Sequence, residues 1–292
     1  MKFGLIGHPI EHSLSPALFK AGYDGMYPYD LIITEDFEEA YRIFLEGYDG
    51  INVTAPFKEL ALKKADILSE ECQKIGATNL LIKTAGGIMA HNSDYLGVRI
   101  WIEEISRLAS LTRNDREVNR NDREANRNDR ETTRNDRETA QNDKEGRDIE
   151  EKTTVLIVGM GGAGKAAAEA ARSFGCKVIL MNRTQYSDEI RPLGEFKEAF
   201  KVADIVIYNL PVRLPELDRI GKEDFIEGKP KNILEANYRN PSFDKDLIQK
   251  LEGMHPQIRY TGGETWLLLQ ALTGYEIFTG QKPDLEKMAA RL

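Results

Sequence analysis

The stretch that most limits the fold is TTVLIVGMGGAGKAAAEAARSFG, residues 153–175. An apolar run rich in β-branched residues leads into four glycines, and an Ala-rich segment with helical patterning follows. A strand, a tight turn and a helix in that order begin a βαβ unit, and such units assemble into parallel sheets with helices on both faces. KVILMN, DIVIYNLP and NILEANY continue the alternation downstream. A doubly wound α/β domain is therefore expected over residues 152–262.

The glycines fit two phosphate-binding patterns. Gly159, Gly164 and Lys165 make G-x-x-x-x-G-K, but a triphosphate loop continues with Ser or Thr, whose hydroxyl holds Mg²⁺. Here Ala166 follows. Gly159, Gly161 and Gly164 make G-x-G-x-x-G, the dinucleotide fingerprint, with its strand before and its helix after. Gly159 would allow the turn, Gly161 the approach of a pyrophosphate, and Gly164 the close packing of helix on strand. Gly162 lies in the same loop, and the pyrophosphate would sit at the helix N-terminus. The second strand ends in Asn182-Arg183-Thr184, with no acid to accept from a ribose hydroxyl. An Arg beside small polar groups forks onto a 2′-phosphate instead. The expected cofactor is NADP(H), held by these glycines with Asn182, Arg183 and Thr184.

Residues 113–147 read RNDREVN, RNDREAN, RNDRETT, RNDRETA, QNDKEGR, five copies of one heptad. The period suggests a coiled coil, but two apolar seams are missing. A solvated, poorly ordered or marginally helical insert is expected over residues 108–151. Before it, residues 1–107 also alternate. KFGLIG, LIIT and GINVTAP read as strands, DFEEAYRIFLEG and KELALKKADILSE as helices, and LLIKT with IMAHN as a hairpin around Gly86-Gly87. Residues 95–108, 264–272 and 285–292 read as helices.

Composition narrows the partners. The formal net charge of −8 argues against nucleic acid, whose phosphates need a basic face. No run of about 18 apolar residues suggests a membrane span, and the N-terminus lacks a signal-peptide core. Cys72 and Cys176 lack metal-ligand spacing, which suits buried thiols in a reducing cytoplasm. His8 and His12 have no Cys or Glu partner at ligand spacing, so no metal is expected.

Two stretches are too polar to be mere connectors. HPIEHSLSP follows a buried strand and carries Ser13 and Ser15; INVTAPFK leaves another and carries Asn52, Thr54 and Lys58. ATN adds Asn79, and HNSD adds Asn92 and Asp94. Ligands of open α/β sheets gather at the carboxyl ends of strands, and hydroxyls and amides there suit a small polyhydroxylated or carboxylated molecule.

GHPIEHSLSP, GINVTAPFKE, GATN, NSDYLG, GMGGAGKAA and NRT resemble, in order and spacing, the signatures of the shikimate dehydrogenase family. The likeness covers the chain except the heptads. It implies an N-terminal α/β substrate domain (1–107, completed by helices in 263–292) and a Rossmann-like NADP domain. It implies reversible NADPH-linked reduction of 3-dehydroshikimate to shikimate in aromatic amino-acid biosynthesis, by a monomer or homodimer. Carried over by position, Lys58 and Asp94 resemble the catalytic pair. Ser13 and Ser15 resemble the carboxylate clamp, and Asn52, Thr54, Asn79 and Asp94 the partners of the ring hydroxyls. Gln270 resembles the substrate-binding glutamine of a late helix, and Tyr238 the tyrosine near substrate and nicotinamide. The chain departs from the family at Tyr95, beside Asp94; at Trp266, where Met is usual; at Tyr208-Asn209-Leu210-Pro211; and at Glu235, where Asp is usual. Other readings are a quinate dehydrogenase using NAD or NADP, a non-catalytic binding protein on the same fold, and a triphosphate hydrolase.

Overall fold

In a computed structural model, residues 1–108 and 152–292 are described. The heptads, with the expectation that they hang near a hinge outside the cleft, lie outside the described residues. Met1–Ile100 and Thr153–Leu292 form one compact unit, and Trp101–Lys152 a second.

The first half builds β1 (Phe3–Gly7), α1 (Ser15–Gly22), β2 (Tyr29–Ile33), α2 (Phe37–Gly47), β3 (Gly50–Val53), α3 (Lys58–Lys63), β4 (Ile67–Leu68), α4 (Glu70–Ile75), β5 (Leu80–Thr84) and β6 (Gly87–His91). Residues 93–108 are helical, as α5. The sheet order is β2-β1-β3-β5-β6-β4. Alternation alone suggested an all-parallel sheet. β1, β2 and β3 do run parallel, but β5 is antiparallel to both β3 and β6. The hairpin that the sequence announced is inserted whole, and that reverses one strand.

Period-2 alternation sorts β3 between two cores. Ile51 and Val53 pack with Phe37, Phe44 and Phe57 on one face. The opposite core gathers Phe3, Leu18 and Phe19 with Leu267, Tyr275 and Phe278 from a late helix, α10. The Phe3 and Phe278 rings stack at 4.9 Å. Burying one such ring contributes roughly 1.5–3 kcal/mol.

The second half builds β7 (Thr154–Val158), α6 (Gly162–Ser173), β8 (Lys177–Asn182), β9 (Ile190–Pro192), α7 (Phe196–Val202), β10 (Ile205–Tyr208), α8 (Pro215–Asp218), β11 (Lys231–Glu235), α9 (Lys245–Met254), β12 (Ile258–Thr261), α10 (Gly263–Thr279) and α11 (Leu285–Ala289). The order β12-β11-β10-β7-β8-β9 is parallel throughout. The strand order reverses between β7 and β10, and that switch point opens a crevice at their carboxyl ends. Leu156, Val158, Val206 and Ile233 are packed under Phe196 and Phe200. α10 runs on to residue 279, well past the 264–272 expected. Its later turns carry Tyr275 and Phe278 into the first core.

Candidate active site

The carboxyl ends of β1 and β3 and one face of α10 wall a cavity of about 290 Å³. Every residue expected to touch a substrate lines it: Ser13, Ser15, Asn52, Thr54, Asn79 and Asp94, with Lys58, Tyr238 and Gln270. The local fold explains the convergence. β1 ends at Gly7, and the loop after it turns back where Ser13 N donates to Ile10 O at 2.9 Å. Ser15 then opens α1, with a proline in the first turn, where its missing N–H costs nothing. The two hydroxyls lie 3.1 Å apart, and Ser15 N donates to Ser13 Oγ at 3.2 Å.

Lys58 opens α3, and Asp94 lies in the first turn of α5. Asn92 caps α5 by accepting from Tyr95 N at 3.1 Å. Lys58 Nζ donates to Asp94 Oδ2 at 2.5 Å, with the side chains 15% and 7% exposed. The contact is short and largely screened from water, which fixes the Lys58 side chain in one place. Asn79 bridges neighbouring elements. Its Oδ1 accepts from Ser93 N at 2.7 Å, and its Nδ2 donates to Ser93 Oγ at 3.0 Å and Gln270 Oε1 at 3.4 Å. Behind this segment, Glu71 accepts from Asn92 N at 3.3 Å and faces His91 Nδ1 at 3.5 Å. Burial pushes the Glu71 carboxyl up, but bonds to His91, Ser69 and backbone amides outweigh it and hold it at about 2.

Several residues in the cavity wall or behind it were not anticipated. Tyr275 reaches the cavity, and its hydroxyl donates to Ser15 O at 3.0 Å. Tyr29 donates to Asn52 Oδ1 at 2.8 Å. Burial raises both phenols above their ordinary range, so each remains a neutral donor. The signal for Tyr275 was the stripe Leu267, Gln270, Ala271, Gly274, Tyr275 at helical spacing. His8 and His12, read as loop packing, also line the cavity, and His8 Nδ1 lies 3.5 Å from Glu35. Among the described residues no three of His, Cys, Asp and Glu gather as metal ligands.

The glycine loop lies beside this cavity. Gly159 has φ of 93°, in the left-handed region that glycine favours. A Cβ on Gly164 would lie 1.9 Å from Gly159 O, whereas one on Gly161 would meet nothing within 4 Å. The loop is thus tight where helix meets strand and open where a pyrophosphate would approach. Asn182 Oδ1 accepts from Met160 N at 3.2 Å and fixes the loop from β8. Arg183 and Thr184 are exposed beyond that strand. At the end of β10, Asn209 Oδ1 is buried with no hydrogen-bond partner among the described residues, an acceptor suited to a hydroxyl- or amide-bearing ligand. These features fit a dinucleotide.

Residues 5–81 match the shikimate dehydrogenase substrate binding domain, and residues 116–252 the NAD binding domain of D-isomer specific 2-hydroxyacid dehydrogenases. Shikimate dehydrogenase (NADP(+)) of Carboxydothermus hydrogenoformans is 25% identical over 306 residues, covering 98% of this chain and 94% of that protein. Over nearly its whole length the chain is thus similar to shikimate dehydrogenases, with the substrate-domain match confined to residues 5–81. Its likeness to the enzyme of Desulfitobacterium hafniense is 30% over 188 residues, 62% of this chain and 54% of that one. The pentafunctional AROM polypeptide of Candida tropicalis is 29% identical over 260 residues, and the match spans 86% of this chain but only 13% of that polypeptide. Among solved structures, shikimate 5-dehydrogenase from Thermus thermophilus, in complex with NADP(H) and shikimate, superposes with a TM-score of 0.69 at 24% identity, covering 100% and 98% of the two chains. That likeness is one of fold.

The family departures have local explanations. Tyr95 is not among the cavity's lining residues; it packs against Ile75, Ala77 and Ala166. Trp266 is buried, and its indole donates to Asp94 O at 3.3 Å, tying α10 to the segment that carries Asp94. Tyr208 is a core residue whose hydroxyl donates to Val212 O at 2.7 Å. Glu235 accepts from Ser242 N at 2.5 Å and from the Tyr260 hydroxyl at 2.8 Å, which braces the loop beyond Tyr238.

Proposed function

We propose that this chain interconverts 3-dehydroshikimate and shikimate with NADP(H), as a shikimate dehydrogenase of aromatic amino-acid biosynthesis. The observation that carries the reading is the Lys58–Asp94 pair, at 2.5 Å within a cavity lined by every residue assigned to the substrate. The glycine loop would hold NADPH, which when bound would supply the hydride. As negative charge grows on the carbonyl oxygen, the Lys58 ammonium stabilises it and gives up a proton. Asp94 holds Lys58 and accepts from a ring hydroxyl. Ser13 and Ser15 bind the carboxylate; Asn52, Thr54 and Asn79 bind the ring hydroxyls; Gln270 contributes to substrate binding, and Tyr238 would stand near substrate and nicotinamide.

Gly159, Gly161, Gly162 and Gly164 take the pyrophosphate, Asn182 supports the loop, and Arg183 with Thr184 takes the 2′-phosphate. Residues 1–107 with 263–292 are the substrate domain, 152–262 the cofactor domain, and 108–151 an insert between them. Among the described residues no helix is long and apolar enough to cross a membrane, and the proposed setting is the cytoplasm, as monomer or homodimer.

The test is absorbance of NADPH formed from shikimate, run beside quinate and beside NAD. NADP-dependent turnover of shikimate is expected. Turnover of quinate alone would reassign the substrate. Folded protein that binds NADP but turns over neither would refute the enzymatic reading.

A further inference from the structure

Lys165 stands where a triphosphate loop has its phosphate lysine, and the dinucleotide reading gives it nothing to do. Its Nζ reaches away from the loop to Glu59 Oε1, at 2.6 Å across 106 residues of sequence. Glu59 directly follows Lys58. On a helix, neighbours diverge by about 100°, so the two side chains serve different partners. Lys58 faces Asp94 and the cavity, while Glu59 faces α6. The bond to Lys165 lowers the Glu59 carboxyl below its ordinary range, so it is ionised there.

Two contacts show how closely α3 and α6 meet. A Cβ on Gly162, the first residue of α6, would lie 2.8 Å from Lys58 Cδ. Farther along, Ala166 packs with Ile75 and Ala77. The Lys58 stem therefore runs over the start of the cofactor helix, and its place depends on how α3 is held against that helix. α3 has only six residues, of which Ala61 is buried.

We propose that Glu59 and Lys165 form a latch between the substrate half and the cofactor helix, and that both are positioning residues for Lys58. Neither side chain lines the cavity, and the Lys165 ammonium is turned to Glu59. The pair holds α3 on α6, and so fixes Lys58 relative to the carbon that exchanges hydride. This inference rests on the proposed reaction for its kinetic consequence but not for its structural one.

The pair's side chains are 61% and 29% exposed. Exposed pairs of this kind couple by up to about five-fold in an equilibrium or rate. The experiment is a double-mutant cycle on the full chain with Glu59→Gln, Lys165→Met and both together, alongside the charge swap Glu59→Lys/Lys165→Glu. Each single variant should lower kcat about three- to five-fold, within the coupling that an exposed pair supplies. KM for shikimate and the NADP Kd from fluorescence should move less than kcat. The double variant should be no worse than either single one, and the swap should recover part of the loss. Additive losses would overturn the latch. A tenfold weaker NADP Kd in Lys165→Met alone would also overturn it, by making Lys165 a phosphate ligand. A readout independent of turnover is labelling of Lys165 by an amine-reactive reagent on cofactor-free protein, read by mass spectrometry. Labelling should rise in Glu59→Gln; unchanged labelling would refute the pair whether or not the chain turns over shikimate.

Discussion

The two sheets offer their expected ligands opposite kinds of surface. Around the first, recognition is carried by side chains, and nearly all of them are tied to one another. Ser13 meets Ser15, Asn79 meets Ser93 and Gln270, and Lys58 meets Asp94. Around the second, the loop is shaped by backbone and by missing Cβ atoms, and the side chains nearest the expected 2′-phosphate are exposed. A preorganised polar cavity selects by shape and by hydrogen bonds that a wrong ligand leaves unpaired. A glycine cradle holds any pyrophosphate and leaves selectivity to a few peripheral charges. The chain should therefore be strict about its substrate and easier to re-tune for its cofactor.

The largest effect expected is on the substrate side. Lys58→Ala should lower kcat by about 10²- to 10⁴-fold, the usual contribution of a positioned acid or base. Circular dichroism and the melting temperature should stay near those of the parent chain. If the variant unfolds, Lys58 is structural and the contrast weakens. On the cofactor side, Arg183→Ala should raise the NADP Kd by roughly ten- to a hundred-fold, as loss of one charge-assisted contact implies, with little change for NAD. Equal losses for both cofactors would show that Arg183 does not read the 2′-phosphate.

Glu71 offers a finer comparison, since it supports the Asp94 segment from behind. Its carboxyl titrates at about 2 in the folded chain, against an ordinary 4.5. The stabilisation is therefore full above about pH 4.5 and is lost as the pH falls through 2. At about 1.4 kcal/mol per unit it amounts to at most about 3 kcal/mol. Glu71→Gln should lower neutral-pH stability towards that limit and flatten the acid limb of a denaturation curve. An unchanged acid limb would show that another carboxylate controls it. Smallest of all, deleting residues 113–147 should leave kcat within a few-fold, since the heptads carry none of the assigned residues. A large loss would give the repeat a role that neither sheet explains.

The residues proposed for the chemistry were the most legible in the sequence. Lys, Asp, Ser and Asn at strand ends have few structural reasons to gather, so their pattern pointed to the cavity directly. Tyr275 and Tyr29 were not legible, because an aromatic residue on an apolar stripe reads as core until its hydroxyl is seen to bond. Tyr95 misled through sequence adjacency. It follows Asp94 in the chain, but a helix turns about 100° per residue, and Tyr95 faces α4 and α6. β4 has two residues, too few for any periodicity; the β5–β6 hairpin was legible, but the antiparallel pairing of β5 with β3 is a matter of topology that no local pattern carries. The full length of α10 was missed because its later turns bury against a sheet whose first strand lies some 275 residues earlier, at Phe3 against Phe278.

That last packing has a consequence for biosynthesis. The ring of Phe3 is covered by Phe278. On the ribosome, β1 emerges first and cannot complete its core until α10 has been made. The parallel sheet from β7 to β12 closes on strands that are all synthesised before α10. Domains generally fold as units during synthesis, so the later-coded cofactor half is expected to mature while the earlier-coded substrate half still waits with apolar surface uncovered. On that expectation the order of synthesis and the order of folding are reversed, and the interval between them is when a chaperone would find the chain.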